Sequence, residues 1–262
     1  MTNRDLLDTA LCAARRASDI LRSGFGGNIA ASTKEGRHNL VTEFDVRCEQ
    51  AIIEELRRAT PNASILAEES GASGTHADLQ WVIDPLDGTV NFAHGLPIFS
   101  VSVAAVHNGS PVCGVVIQPM LGEEFTAVVG EGAFLNGRQL RVSDTAPLGQ
   151  AFLVTGFPYN VHTNPKSCVD QFVRLVSSGI PIRRLGSAAL DLAYLAAGRF
   201  DGYWEVHLNA WDMAAGVLLV TEAGGTVSHY GGERFVLGHS SIVATNGKIH
   251  DELVHVLAEA TA

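Results

Sequence analysis

The chain has 262 residues, of which 46% are hydrophobic and 18% charged, a composition that predicts a compact folded protein and excludes a disordered one. Acidic residues outnumber basic ones by 28 to 18, and no basic cluster indicates nucleic-acid binding. The sequence contains no run typical of a membrane span or a secretory signal, so we expect a cytoplasmic protein without a membrane partner.

The first half of the chain predicts two helices followed by an antiparallel sheet. Apolar residues at helical spacing predict helices from about Arg4 to Ser23 and from about Glu43 to Arg58. Two short apolar strands follow, Ser64–Glu68 and Trp81–Asp84. Asn-Gly turns then separate runs that predict a meander, Phe99–His107, Pro111–Gln118, Glu124–Gly130 and Gln139–Val142.

From about Gln150 the pattern changes to strands that alternate with helices, which predicts a second, mixed sheet with helices on its faces. The predicted strands are 151–155, 182–185, 200–205 and 242–245, and the predicted helices are 165–178, 187–197, 211–223 and 249–260. We therefore expect an N-terminal α+β half, residues 1–146, and a C-terminal α/β half, residues 147–262.

Two carboxylates close the apolar strand that begins at Trp81. Asp84 and Asp87 stand three positions apart, where they repel each other and lose water, a cost tolerated mainly where cations lie between them. Pro85 favours a turn that lets both side chains, and the Leu86 carbonyl, face one point. These oxygen ligands suit Mg²⁺ or Mn²⁺. A solvated turn is the structural alternative for this pentapeptide alone.

The next two residues favour phosphate binding. Gly88 lets the backbone approach a ligand closely. Thr89 is placed to begin a helix, whose free N–H groups attract an anion.

Other acids also stand at the ends of predicted elements, and each has a structural alternative. Glu68 ends an apolar strand as a candidate third ligand, or as part of an exposed acidic turn. Asp212 begins an apolar helix, where it would also stabilise the helix dipole. Asp45 follows Thr42 at capping-box spacing, a purely structural device. Glu205 closes an aromatic strand, as a rim residue or as a hydroxyl acceptor for a polyol.

Together these features resemble the inositol monophosphatase family of Mg²⁺-dependent, lithium-sensitive sugar phosphatases. The resemblance covers nearly the whole chain. It rests on six blocks in matching order and spacing, Leu40-Val41-Thr42 with Asp45, Ala67-Glu68-Glu69-Ser70, Trp81–Phe92, Gly186-Ser187-Ala188-Ala189, Tyr203-Trp204-Glu205, and Trp211-Asp212 through Gly225. It implies a layered αβαβα sandwich with an antiparallel N-terminal sheet and a mixed C-terminal sheet, in a homodimer.

The resemblance also implies two or three Mg²⁺ ions per site, with Mn²⁺ as a substitute. Glu68, Asp84 and the Leu86 carbonyl would hold the first metal, while Asp84, Asp87 and Asp212 would hold the second. A third, weaker ion would lie beside Glu68.

The same resemblance assigns catalytic and substrate-binding roles. Thr89, hydrogen-bonded to Asp45, would orient the attacking water, with Glu68 as a further catalytic group. The amides of Gly88 and Thr89 would bind the phosphate, and Lys34 falls near the site. The residues implied to contact the substrate are Asp87, Gly88, Thr89, Ser187, Ala188, Glu205 and Asp212.

The implied reaction is hydrolysis of myo-inositol monophosphate by direct attack of a metal-activated water, without a phosphoenzyme. The expected partner is a small sugar or polyol phosphate. Fructose-1,6-bisphosphatase and histidinol-phosphatase activities on the same site are alternatives. An alternative of another class is a regulatory, protein-binding role with RNA-polymerase or ribosome-related machinery, independent of catalysis.

Overall fold

A computed structural model of the protein describes residues 1–27, 29, 31–33, 40–74 and 78–259. Its helices are α1 Asn3–Gly24, α2 Glu43–Ala59, α3 Thr89–Ala93, α4 Cys168–Ser177, α5 Ala188–Ala196, α6 Ala210–Glu222 and α7 His250–Glu259. Its strands are β1 Ala31–Thr33, β2 Leu40–Thr42, β3 Ser64–Ala67, β4 Gly71–Ser73, β5 Leu79–Asp87, β6 Ser100–His107, β7 Ser110–Gln118, β8 Glu123–Val128, β9 Gly132–Leu135, β10 Arg138–Gln139, β11 Leu153–Thr155, β12 Ile182–Arg183, β13 Gly202–Val206, β14 Thr226–Ser228 and β15 Ser241–Thr245.

Two large sheets form the framework. An eight-stranded sheet has the order β10-β9-β8-β7-β6-β5-β3-β4, and a five-stranded mixed sheet has the order β12-β11-β13-β15-β14. The first sheet is antiparallel except that β3 and β5 run parallel, which the sequence analysis did not anticipate. Strand β4 pairs antiparallel with one edge of β3, and β5 pairs parallel with the other edge.

The sheets and helices stack in five layers, which confirms the expected αβαβα sandwich. Helices α1 and α2 pack on one face of the eight-stranded sheet, and α5 and α6 pack on its other face. The opposite side of α5 and α6 contacts the five-stranded sheet, whose outer face carries α7 with α4 beside it. No helix among the described residues has the length and apolar character needed to cross a membrane.

Both faces of the eight-stranded sheet are buried, so its central strands are mostly apolar. Trp81 and Ile83 of β5 belong to the core beneath α1 and α2, whereas Val82 belongs to the core shared with α5 and α6. This second core joins the two halves, because it also contains Leu192 and Ala215. The division at residues 146 and 147 stays a prediction.

Glycines let α6 approach its neighbours closely. A Cβ on Gly114 of β7 would lie 2.9 Å from the Cα of Ala215, and a Cβ on Gly216 would lie 2.6 Å from the Leu192 side chain. Helix α6 therefore rests directly on the eight-stranded sheet. Its first turn carries Asp212.

The strands β1, β2, β4, β9 and β14 were not predicted, and the predicted elements differ from the observed ones mainly at their ends. The helix predicted over 165–178 is interrupted, because Lys166 and Ser167 have φ values of 50° and 55°, and α4 begins only at Cys168. The strand predicted over 139–142 ends at Gln139, since β10 is a short partner of β9.

Candidate metal and phosphate site

The site is built at the end of β5, where the strand leaves its regular pairing with β6. The register shifts between Asp84, opposite Ser102, and Asp87, opposite Ser100. Asp84 is 2% exposed, and its Oδ1 accepts a hydrogen bond from the Leu86 amide at 3.0 Å. The local turn therefore fixes one oxygen of Asp84.

Gly88 connects this turn to the short helix α3. Its φ of 98° and ψ of 35° lie in the left-handed region, which favours glycine. A Cβ here would lie 3.1 Å from the Ile98 carbonyl oxygen and 3.2 Å from the Gly186 carbonyl oxygen. The close approach at Gly88 is to the backbone of other segments of the chain, and the predicted approach to a ligand stays a prediction. Helix α3 begins at Thr89, as expected.

Asp45 performs two tasks with its two oxygens. Oδ2 accepts hydrogen bonds from the amide and the hydroxyl of Thr42, at 2.7 and 2.6 Å, and so caps α2. Oδ1 accepts the hydroxyl of Thr89 at 2.9 Å, and the same hydroxyl lies 3.0 Å from the Leu86 carbonyl oxygen. Burial raises the pKa of Asp45, which is completely buried, and its hydrogen bonds oppose that rise.

Asp87 joins the eight-stranded sheet to the first turn of α5. Its Oδ2 accepts the Ser187 hydroxyl at 2.7 Å and the Ala189 amide at 2.8 Å. Burial raises the pKa of Asp87 to about 6, while these hydrogen bonds and the Ala188 amide oppose the rise. The predicted substrate contacts Ser187 and Ala188 thus lie against Asp87. Ser187 also lies 3.1 Å from the Ser100 hydroxyl.

Glu68 lies in the turn that follows β3, and a residue missed by the sequence analysis holds that turn. Glu49 of α2 is 4% exposed, and its two oxygens accept the amides of Glu69 and Ser70 at 2.8 and 2.9 Å. The signal was present in the sequence, because Glu49 shares the buried face of α2 with Asp45 and so places a carboxylate among core residues.

Asp212 begins α6 and combines a structural contact with a place in the acidic group. Its Oδ2 accepts the Asn209 amide at 2.6 Å, as a capping residue does. Burial, followed by the charge of Asp87, raises the pKa of Asp212 well above its usual range, and the charges of Glu68 and Glu205 add to that effect. The helix cap and the ligand role are therefore compatible.

Glu205 marks a second part of the site, at the end of β13. Its Oε2 accepts the Tyr203 hydroxyl at 2.6 Å, and burial raises its pKa to about 7, opposed by Tyr203 and by the charge of Arg184.

Asp191 of α5, also missed by the sequence analysis, is 1% exposed, and neither of its oxygens has a hydrogen-bond partner among the described residues. Burial and the charge of Glu205 raise the pKa of Asp191.

The donor set has the chemistry of a divalent-cation site. Burial raises the pKa of Asp84 well above its usual range, and Glu68, Asp87 and Asp212 add negative charge to that effect. A hydrogen bond with Glu68 also raises the pKa of Asp84. Carboxylates and a carbonyl are the ligands that Mg²⁺ prefers. The residues therefore fit such a metal chemically.

The ligands are not drawn together around one point. Across the described ranges, no three His, Cys, Asp or Glu side chains are grouped closely enough to hold a metal ion. Lys34, which the resemblance also implied, lies outside the described residues.

Comparisons with known proteins settle the family. Residues 2–262 match the sequence profile of the inositol monophosphatase family. The chain belongs to this family. A Nus factor SuhB from Pseudomonas aeruginosa is 47% identical over 255 residues, which are 95% of this chain and 94% of that relative. An inositol-1-monophosphatase from Mesorhizobium japonicum is 41% identical over 257 residues, 97% and 96% of the two chains.

A solved structure agrees with this assignment. The inositol monophosphatase from Anabaena superposes with a TM-score of 0.89 at 41% identity, covering 98% of this chain and 96% of that one. Membership of the inositol monophosphatase family supports a phosphatase activity, and the family is generally metal-dependent. The family and the fold predicted from the sequence are therefore confirmed.

Proposed function

We propose that this protein is a metal-dependent phosphomonoesterase that hydrolyses myo-inositol monophosphate to myo-inositol and phosphate by direct attack of water. The observation that carries the proposal is the Thr89–Asp45 hydrogen bond, which lies beside a turn with several carboxylates. A buried hydroxyl fixed in this way both holds the turn and is suited to orient a water molecule.

The proposed metal ligands are Glu68, Asp84, the Leu86 carbonyl, Asp87 and Asp212. Bound Mg²⁺ or Mn²⁺ would lower the pKa of a water, neutralise phosphate oxygens and stabilise the leaving alkoxide. Five residues contribute, and four of them are carboxylates, so two divalent ions would balance the charge of the ligand set.

Thr89 and Asp45 are proposed to orient the attacking water. The single hydroxyl hydrogen of Thr89 is directed to Asp45 Oδ1 and the Leu86 carbonyl, so its oxygen lone pairs are left to accept a hydrogen from water. Thr42 donates twice to the other oxygen of Asp45, which keeps that carboxylate in place. The chain thereby supplies a pre-organised acceptor for the nucleophile.

The phosphate and the alcohol are proposed to occupy adjoining places. The amides of Gly88 and Thr89 would bind phosphate oxygens, at the left-handed turn that Gly88 makes into α3. Ser187, Ala188 and Glu205 would contact the alcohol. A partly exposed carboxylate such as Glu205 accepts hydrogen bonds from hydroxyl groups, which suits a polyol.

The direct test is phosphate release from inositol 1-phosphate, fructose 1,6-bisphosphate, histidinol phosphate and adenosine 3′,5′-bisphosphate. Each ester is assayed with Mg²⁺, with chelator, and with Mg²⁺ plus lithium. We expect Mg²⁺-dependent, lithium-inhibited turnover that is fastest with inositol 1-phosphate. Faster turnover of another ester would keep the proposed reaction and change the substrate assigned to it. Absence of turnover with all four esters would contradict the proposed reaction.

A regulatory role is the second candidate, because the Pseudomonas relative is named a Nus factor. Asp87→Asn separates the two roles, since it removes one carboxylate from the proposed metal site and leaves the outer surface of the molecule unchanged. In cells that lack the native protein, complementation by Asp87→Asn would support a role independent of catalysis. Complementation by the wild type alone would support the phosphatase.

A further inference from the structure

The carboxylate of Glu205 lies directly over the backbone of Gly156. Strand β11 ends at Thr155 and runs parallel to β13, with Thr155 paired to Trp204, so that Gly156 comes level with Glu205. A Cβ built on Gly156 would overlap all three atoms of the Glu205 carboxylate group. The place that this carboxylate occupies is therefore available only because residue 156 has no side chain.

Backbone conformation does not require glycine at this position. The φ of Gly156 lies outside the positive range in which other residues are strained, unlike that of Gly88. A side chain at residue 156 would therefore have to displace the Glu205 carboxylate, which is the end of a flexible side chain.

Other groups hold the two partners in this arrangement. The Thr155 hydroxyl donates to the Trp204 carbonyl at 2.7 Å, which ties the end of β11 to β13 beside Gly156. The Tyr203 hydroxyl donates to Glu205 Oε2 at 2.6 Å, and Tyr203 is fully buried. The Glu205 carboxylate is therefore held by the hydrogen bond from Tyr203 and packs against the Gly156 backbone.

We infer that Gly156 is a specificity-determining position, which sets the Glu205 carboxylate where it accepts the hydroxyl groups of a polyol phosphate. This inference rests on the proposed function. Gly156 is a positioning residue, because it acts through Glu205 and touches no reacting atom. The ligand class that it selects is phosphate monoesters whose alcohol carries further hydroxyl groups.

Steady-state kinetics of Gly156→Ala on two esters test the inference. Inositol 1-phosphate has hydroxyls for Glu205, whereas the leaving group of p-nitrophenyl phosphate has none. Because a carboxylate that binds hydroxyls does so equally before and during reaction, its displacement raises KM and leaves kcat nearly unchanged. We expect KM for inositol 1-phosphate to rise about 10-fold or more, the loss of one hydrogen bond to a charged group, with p-nitrophenyl phosphate unaffected.

Gly149→Ala is the matched control, because a Cβ on Gly149 meets no atom within 4 Å and its φ is also outside the positive range. Tyr203→Phe is a second variant that removes the hydroxyl and keeps the ring. It should lower the preference for inositol 1-phosphate in the same direction. It keeps the inference testable if Gly156→Ala folds poorly, which a thermal melt of each variant shows.

The outcomes are distinct. A rise in KM confined to inositol 1-phosphate supports the inference. Equal losses on both esters, or no change with either variant, would overturn it while leaving the phosphatase intact. A wild-type protein without turnover of either ester would refute the proposed function and the inference together. A crystal structure of Gly156→Ala with Glu205 unmoved would overturn the inference without any assay.

Discussion

At the scale of single residues, the account depends on side chains that use one carboxylate for two purposes. Asp45 caps α2 with Oδ2 and holds Thr89 with Oδ1. Asp212 caps α6 and belongs to the acidic group around Asp84. A capping box and the proposed functional role are therefore compatible in both motifs.

Thr89→Val tests the water-orienting hydroxyl. Valine keeps the shape of threonine and removes the donor to Asp45, so we expect kcat to fall roughly 10²- to 10³-fold, as when one positioned hydrogen-bonding group is removed from a transition state. Phosphate release at saturating Mg²⁺ measures the change. Thr89→Ser keeps the hydroxyl and should retain most of the activity, whereas equal losses in both variants would contradict the assigned role.

Glu49→Gln tests the support of the Glu68 turn. Glutamine retains one acceptor but sets an NH₂ group against one of the two amides, so the turn that carries Glu68 should loosen. We expect the Mg²⁺ concentration for half-maximal thermal stabilisation to rise about 10-fold, as for other residues that orient metal ligands. Glu54→Gln on the same helix is the control, because its ion pair with Arg16 is exposed. If the thermal stabilisation of the two variants depends on Mg²⁺ concentration in the same way, Glu49 does not support the turn that carries Glu68.

Sequence reasoning found the residues at element ends and missed those that act across the fold. Asp84, Asp87 and Glu68 were visible because an acid after an apolar strand is unusual. Glu49 was overlooked although it shares a helix face with Asp45. The contact between Gly156 and Glu205 could not be predicted, because it depends on the register of two strands that are far apart in the chain.

At the scale of elements, the turn from β5 into α3 leaves no room for a side chain at Gly88. Gly88→Ala would place a Cβ against backbone atoms of Ile98, Phe99 and Gly186 and would also require a left-handed conformation. We expect a loss of about 2–4 kcal/mol in the free energy of unfolding, from strain and overpacking together. Urea unfolding measures it.

Gly95→Ala is the matched control for that substitution. Gly95 also has a positive φ, 73°, but a Cβ there meets no atom within 4 Å. Its cost should be limited to backbone strain, about 1 kcal/mol. Equal costs for the two variants would show that the close approach at Gly88 is unimportant.

Among the elements, helices were predicted to within a few residues and strand pairing was predicted less well. Helices α1 and α2 follow from apolar spacing and capping residues. The parallel pairing of β3 with β5 was missed because both strands are mostly apolar in their middle, and an apolar run gives no information on its neighbour. Tertiary packing decides such pairings.

At the scale of the whole molecule, the site joins both halves of the chain. Asp87 of β5 accepts the Ala189 amide in the first turn of α5, its charge acts on Asp212 in the first turn of α6, and the core between the two sheets contains residues from both halves. The sequence predicted the order of the layers through the family resemblance. The spacing of carboxylates that repel one another depends on the folded environment and could not be predicted from their order in the chain.

The stability of the metal-free protein should fall as pH rises. Burial raises the pKa of Asp87 to about 6 and of Glu205 to about 7, so between pH 4 and 7 the folded state binds more protons than the unfolded state. The stabilisation by these protons is fully present at a pH below the pKa values that the two carboxyl groups have in the unfolded chain. It is lost as the pH rises through their pKa values in the folded protein. In chelator, we expect Tm to be lower at pH 7.5 than at pH 5 by roughly 5 °C or more.

The same melts with saturating Mg²⁺ are the control. Bound cations would replace the protons as the positive charge among the carboxylates, so the decline above pH 5 should be reduced. A metal-free protein whose Tm rises from pH 5 to pH 7.5 would contradict the stated origin of these pKa shifts.

The most direct test of the central claim is anomalous diffraction from crystals equilibrated with Mn²⁺. Our account predicts anomalous peaks within coordination distance of Asp84, one shared with Glu68 and the Leu86 carbonyl and one shared with Asp87 and Asp212. It also predicts that these carboxylates move together around the ions. Saturating Mn²⁺ without a peak beside Asp84, or with peaks only elsewhere on the molecule, would contradict a metal-dependent phosphatase site at this turn.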